Sequence, residues 1–153
     1  MLRGRDLSAN QPNAGLYVPT QDERTMALLA HVLGIFAGFL APLIFFLVKR
    51  DSKFVSFHAL QSLAWHIIYF VLMMVAVVIF VFSIFAHASF PPADKNAFPF
   101  AFFGPFIFIW LMAMGGWVVN LVLGVVYGVK ANKGEWAQFP LIGGWILRNI
   151  VFT

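Results

Sequence analysis

Three stretches without a single Asp, Glu, Lys or Arg, at 25–48, 54–93 and 96–129, fill most of a 153-residue chain. A helix needs about 20 predominantly apolar residues to cross ~30 Å of hydrocarbon, and each stretch meets that requirement. The expectation is an all-α integral membrane protein with three transmembrane helices, at about 25–48, 58–86 and 105–129, plus a short C-terminal interfacial or re-entrant helix at about 139–152. The last segment is apolar but short and carries Arg148.

Composition agrees: the chain is 61% hydrophobic and 10% charged, a balance a soluble domain cannot carry without large exposed apolar patches. It reads as one helical domain, 21–153, behind a polar tail, 1–20, which has no apolar periodicity and is expected to be disordered unless a partner ties it down. The formal charge of +4 is not a nucleic-acid signature, because Lys49, Arg50, Lys53, Lys130, Lys133 and Arg148 sit at the ends of apolar segments, where they would contact lipid headgroups. The absence of cysteine excludes disulfides and thiolate chemistry. Residues 1–24 lack the apolar core of a removable signal peptide.

Thr20 and Glu23 form a capping box, so the first helix is expected to start near Gln21 and run to about Val48, bent at Pro42. A charged turn, 49–53, leads into a second helix; 87–98 reads as a loop, and the third helix starts near Pro99 or Pro105. The expected location is a bacterial inner (cytoplasmic) membrane, in which cations counted on alternate sides put the N-terminus outside and both the 49–53 turn and the C-terminus in the cytoplasm.

Two patterns interrupt the apolar helices. Ala30, Gly34 and Gly38 recur every fourth residue on the first helix, and Gly116, Asn120, Gly124 and Gly128 do so on the third. Small residues at this spacing let backbones approach closely, which drives helix packing in lipid. On the second helix His58, Gln61, Ser62, Trp65, His66 and Tyr69 form one polar and aromatic face, a candidate for contact with a partner or ligand. His31 and His87 fall towards the opposite membrane side from that face in the three-span reading.

Chemistry is limited by what is missing. Asp6, Asp22, Glu23, Asp51, Asp94 and Glu135 all lie outside the apolar stretches, which leaves no carboxylate for a proton or sodium relay. No phosphate-binding loop, nucleophile elbow or metalloprotease motif is present, so no catalytic residue and no metal site is assigned and the chain is read as a non-enzyme. Four histidines offer neutral imidazoles to haem or chlorophyll, but no bis-histidine spacing repeats across helices, and no cofactor is expected.

The run Phe54-Val55-Ser56-Phe57-His58-Ala59-Leu60-Gln61-Ser62-Leu63, with Ala131-Asn132-Lys133-Gly134-Glu135-Trp136-Ala137-Gln138-Phe139-Pro140-Leu141, resembles a family of small bacterial membrane proteins grouped with the chloroplast inner-envelope import component Tic-twenty. Asp22-Glu23-Arg24 to Ala30-His31 and Ala41-Pro42-Leu43-Ile44 are similar to that family's first helix. The resemblance covers about 22–143 and implies a four-helix membrane fold and a relation to a protein-conducting translocon, without catalytic residues to carry over.

The first reading is therefore a non-enzymatic accessory or scaffold subunit that contacts membrane lipids and packs against a larger membrane complex, with no nucleic acid and no small-molecule substrate. A Tic-twenty-like translocation or channel component, with a path lined by the His58 to Tyr69 face and Asn120, is the second. A pigment- or haem-carrying accessory subunit of an electron-transfer complex is the third.

Overall fold

A computed structural model describes the backbone of residues 17–90 and 97–151, and the side chains within those limits except at 97–102, 150 and 151. The expectations for the tail at 1–16 and for the 91–96 connection lie outside the described residues. All regular structure among the described residues is helical: α1 (Gln21–Ala37), α2 (Leu40–Val48), α3 (Lys53–Ser89), α4 (Ala97–Asn132), the short α5 (Gly143–Ile146) and a π-helical turn over Leu147–Val151.

The first apolar stretch is not one continuous helix. It folds into a helical hairpin, and among the described residues two helices, α3 and α4, are long and apolar enough to span a membrane, in place of the three expected. The chain turns at Gly38, whose φ of +59° suits a residue without a side chain, four residues before the bend expected at Pro42. Pro42 instead lies in the first turn of α2, where its missing N–H would have had no partner within the helix. Continuous hydrophobicity concealed this break, because apolar pattern reports burial in lipid or core and not direction.

Hydrogen bonds show that the hairpin closes on itself. Lys49 pairs with Asp22 at 3.4 Å, and Ser56 Oγ donates to the Lys49 carbonyl at 3.3 Å. Ser52 Oγ donates to Glu23 Oε1 at 2.6 Å and accepts from the Val55 amide, which makes it the N-cap of α3. The other Glu23 oxygen accepts from the Thr20 amide at 2.7 Å and completes the expected capping box on α1. A single carboxylate thus joins the starts of α1 and α3. The N-terminal end of α1 and the 49–53 turn lie together, so the alternation of sides behind the expected orientation is absent.

Tyr17 seals this corner, donating to Glu23 Oε1 at 2.9 Å and accepting from the Phe54 amide at 3.0 Å, with its ring edge-on to Trp136. Burial pushes its phenol above the ordinary value and keeps it a donor. Burial also opposes the charge on Glu23, but hydrogen bonds from Ser52, the Thr20 amide, Tyr17 and the Thr20 hydroxyl outweigh it and hold the carboxyl below its ordinary range. A lowered folded-state pKa contributes stability above the unfolded value that is lost as pH falls through the folded one. Acidification below the usual glutamate range is expected to loosen this corner, read as a change in tryptophan emission, and Glu23→Gln should flatten that response.

α1 runs parallel to α3 and antiparallel to α4. Ser62 Oγ donates to the Ala30 carbonyl, and Phe39 meets Phe70, whereas Leu28 and Val32 face Gly128 and Ile35 faces Gly124. α3, with 37 residues, extends roughly 55 Å, and its junction with α4 continues beyond the hairpin tip, for example where Tyr69 donates to the Ala113 carbonyl. There, Val75, Val78, Ile79, Phe82 and Phe85 of α3 and Phe106, Ile107, Phe108, Trp110 and Leu111 of α4 are exposed, as faces meeting lipid are. His87 to Ser89 and Ala97 to Phe98, expected in a loop, are helical.

α4 ends at Asn132, where the Gly134 amide bonds the Ala131 carbonyl and Gly134 takes φ +81°. The chain then runs back across the foot of α3. Ile146 joins Ala27, Phe54, Phe57, Ala131 and Trp136 in the buried core, so the described part of the C-terminal segment, 139–151, packs against this foot through Ile146.

Candidate functional site: a buried histidine and glutamine clasp

The two sequence elements that carried the resemblance meet in space. His58 Nε2 donates to the Glu135 carbonyl at 3.1 Å. Gln61 Nε2 donates to the Ala137 carbonyl at 3.2 Å, while its Oε1 accepts from the Phe139 amide at 2.6 Å. His58 and Gln61 are fully buried, and Trp136 is held edge-on against Phe54 at 5.1 Å. Residues 135–139 have no helical or sheet partner for these backbone groups, and the α3 face supplies one. The spacing His58, Gln61 places both side chains on adjoining turns of one helix face, as an extended strap requires.

His31 is the residue whose place the sequence reading missed. Expected towards the opposite membrane side, it lies fully buried with Nε2 3.1 Å from His58 Nδ1, because the hairpin starts α1 beside the start of α3. Its ring also stacks on Phe39's distant namesake in the strap, Phe139, at 5.5 Å. The partners settle the tautomers. A carbonyl only accepts, so His58 carries its proton on Nε2 and accepts at Nδ1 from His31 Nε2–H. His31 Nδ1 is then a bare lone pair, buried and without a partner among the described residues. His66 repeats the pattern: Nδ1–H donates to the Ser62 carbonyl at 2.7 Å, and Nε2 is buried without a partner among the described residues.

The rest of the α3 face is divided between neighbours. Ser62 reaches α1, Tyr69 reaches α4, and the half-buried Trp65 has an indole N–H without a partner among the described residues. His87, bonded to the Ser83 carbonyl, lies towards the far end of α3. The small residues separate into contact and turn positions. A Cβ on Gly34 would stand 2.9 Å from His66 Cε1, one on Gly124 2.6 Å from Ile35, one on Gly128 3.0 Å from Leu28, and one on Gly116 would collide with Tyr69. Ala30 is fully buried, whereas Gly38 has nothing within 4 Å. Asn120 is buried beside a cavity lined in part by Gly34, His66 and Trp117. Lys49 pairs with Asp22, Arg24 lies against Gly134, Arg50 lies over the Phe46 ring and Lys130 over the Tyr127 ring, while Lys53 opens α3 and Lys133 follows the end of α4. Arg148 bonds the Gly144 carbonyl in the C-terminal segment. Among the described residues no group of three His, Cys, Asp or Glu side chains is placed to hold a metal ion.

The strap as a partner of α3 was also missed, although Gly134, Trp136 and Phe139-Pro140, a turn former followed by aromatics, carried the signal. The arrangement binds backbone to side chain and leaves two buried imidazole nitrogens without a partner among the described residues.

Residues 22–146, from the first turn of α1 through α5, match a family described as the magnetosome magnetite crystal formation protein family (MamF/MmsF). The match covers both the hairpin and the clasp. It is to this family, and not to the import component that the motifs resemble. Comparison with curated proteins and with solved structures returned no significant match.

Proposed function

Because this chain belongs to the magnetosome magnetite crystal formation protein family, we propose that it is a non-enzymatic membrane component acting in the formation of magnetite crystals. The observation that carries the reading is the extent of the match, which takes in the hairpin, the α3 face and the strap together. The clasp supports a structural role for the α3 face: His58 and Gln61 are consumed in holding the 135–139 backbone. The apolar faces of α3 and α4 beyond the hairpin offer surface for lipid and for a larger membrane assembly. Removal of the gene from a magnetite-forming bacterium should alter crystal size or number in electron micrographs, with recovery on return of the wild-type chain. Crystals unchanged in both respects would sink this reading.

The topology that goes with it puts both ends of the hairpin and the strap on one membrane side and the C-terminal end of α3 on the other. Arg24, Lys49, Arg50, Lys53, Lys130 and Lys133 gather at the first end, which makes it the cytoplasmic one. In sealed cells an impermeant thiol reagent should therefore label Ser89→Cys and leave Ser52→Cys unlabelled until the membrane is opened. Labelling of Ser52→Cys in intact cells would invert the assignment; absence of labelling at both would place α3 within one side.

A further inference from the structure

We propose that the chain is a one-sided wedge in the bilayer: its hairpin fills a single leaflet, so the surface it fits is a strongly curved lipid membrane on which that leaflet is the convex one. This goes beyond the role in crystal formation and does not depend on it. The argument rests on where the helices stop. α1, with 17 residues, reaches ~25 Å from the polar corner where Asp22 meets Lys49. That is close to half of a bilayer measured across its headgroups, ~40–45 Å. The chain reverses there at Gly38, and Phe39 beside the turn meets Phe70, midway along the 37 residues of α3. Among the described elements only α3 and α4 continue past this level, in contact through Phe80 and Phe106.

The hairpin is built to enter lipid from one side and stop. Leu33 and Phe36 of α1 and Leu40, Ile44 and Leu47 of α2 are exposed, and no charged residue lies between Thr25 and Val48. Phe36, one turn from the reversal, is 81% exposed. The same apolar surface continues onto α3 at Ile67 and Val71. Charge is confined to the base, where Lys49 pairs with Asp22 and Arg50 lies over Phe46. The reversal itself suits hydrocarbon: the Gly38 amide bonds the Gly34 carbonyl and the Leu43 amide bonds the Phe39 carbonyl, so helical bonding resumes on both sides of a very short turn. At the base the C-terminal segment adds exposed Leu141 and Trp145 beside Arg148, residue types that suit the headgroup layer.

Unequal filling of the two leaflets follows. A helix with its side chains is 10–12 Å wide, so α1 and α2 add roughly 160–230 Å² of cross-section to one leaflet and nothing to the other. In a flat bilayer that leaflet is crowded. Bending it outward restores the area of its lipids, and the chain lowers its energy by moving to where the bend already exists.

The test uses the full chain in giant phosphatidylcholine vesicles from which a narrow membrane tube is drawn, so that curvature varies within one membrane and lipid charge plays no part. The chain has no cysteine, and Asp51 at the base and Ser89 at the far end of α3 are both exposed. An impermeant thiol fluorophore added outside therefore marks one orientation through Asp51→Cys and the opposite one through Ser89→Cys. Molecules marked at Asp51→Cys carry the hairpin in the outer, convex leaflet of the tube and should be enriched there by about twofold or more over the flat membrane, whereas those marked at Ser89→Cys should be depleted. Phe36→Asp together with Leu40→Asp charges two exposed positions at the tip, and should withdraw the hairpin and abolish the sorting. A nitroxide on Phe36→Cys should be reached by oxygen and shielded from a water-soluble nickel chelate, a reading that stands even if the aspartate variant fails to insert. Equal tube density for the two orientations, enrichment of both alike, undiminished sorting of the aspartate variant, or a nitroxide open to the chelate would each overturn the proposal.

Discussion

Gln61→Leu is expected to cost about 2–5 kcal/mol, because it removes two hydrogen bonds at once and leaves the buried Phe139 amide and the part-buried Ala137 carbonyl without the partner they have here. Leucine fills a similar volume, so the loss reports polar satisfaction and not a cavity. Its effect spreads through the strap. Trp136 lies on Phe54, Phe57 and Tyr17, and Phe139 stacks on His31, so a strap released at Gln61 loosens the seats of both aromatic residues. Faster trypsin cleavage at Lys133 and a lower unfolding midpoint in detergent would be the measured signs. Gln61→Glu separates the two bonds: an ionised carboxylate keeps the acceptor for the Phe139 amide but faces the Ala137 carbonyl with no donor, and the destabilisation should be at least as large. A Gln61→Leu chain with unchanged midpoint and cleavage rate would show that the strap is held by its aromatic contacts alone.

The α3 face explains how far sequence reading reaches into a chain of this kind. His58, Gln61, Ser62 and His66 stand out because polar residues in an apolar helix require partners, and all four are buried. Their partners were not legible. Gln61 bonds backbone more than seventy positions away, and His58 bonds both that strap and His31 on α1, contacts that depend on topology rather than on periodicity. The number of spans failed for a related reason. Residues 25–48 satisfy any length criterion for crossing, and the only local mark of the reversal is Gly38, one glycine in a series that also reads as a packing seam. Helix ends marked by side-chain chemistry were readable: Thr20 with Glu23, Ser52, and Gly134 each cap where their residue type predicts.

Gly124→Leu and Gly38→Leu are similar substitutions in similar sequence patterns, and the structure separates them. At Gly124 a Cβ would stand 2.6 Å from Ile35 Cγ1 and 3.2 Å from the His31 backbone oxygen, and leucine adds three further carbons along that direction. α1 cannot yield without pulling His31 from His58, so the hairpin must lift away from α4. The expected cost is about 3 kcal/mol or more, from overpacking together with the lost buried contacts. Gly38 has nothing within 4 Å, and its cost comes from the backbone alone, φ +59° with ψ −136°, about 1–3 kcal/mol for a residue with a Cβ. Two measurements divide the cases. Gly38→Ala should cost nearly as much as Gly38→Leu, because strain in φ depends on having a Cβ and little on its size, whereas Gly124→Ala should be much milder than Gly124→Leu. Equal losses for Gly124→Leu and Gly38→Leu, with both alanine variants unaffected, would mean that the two glycines do the same packing job and that the chain does not turn at Gly38.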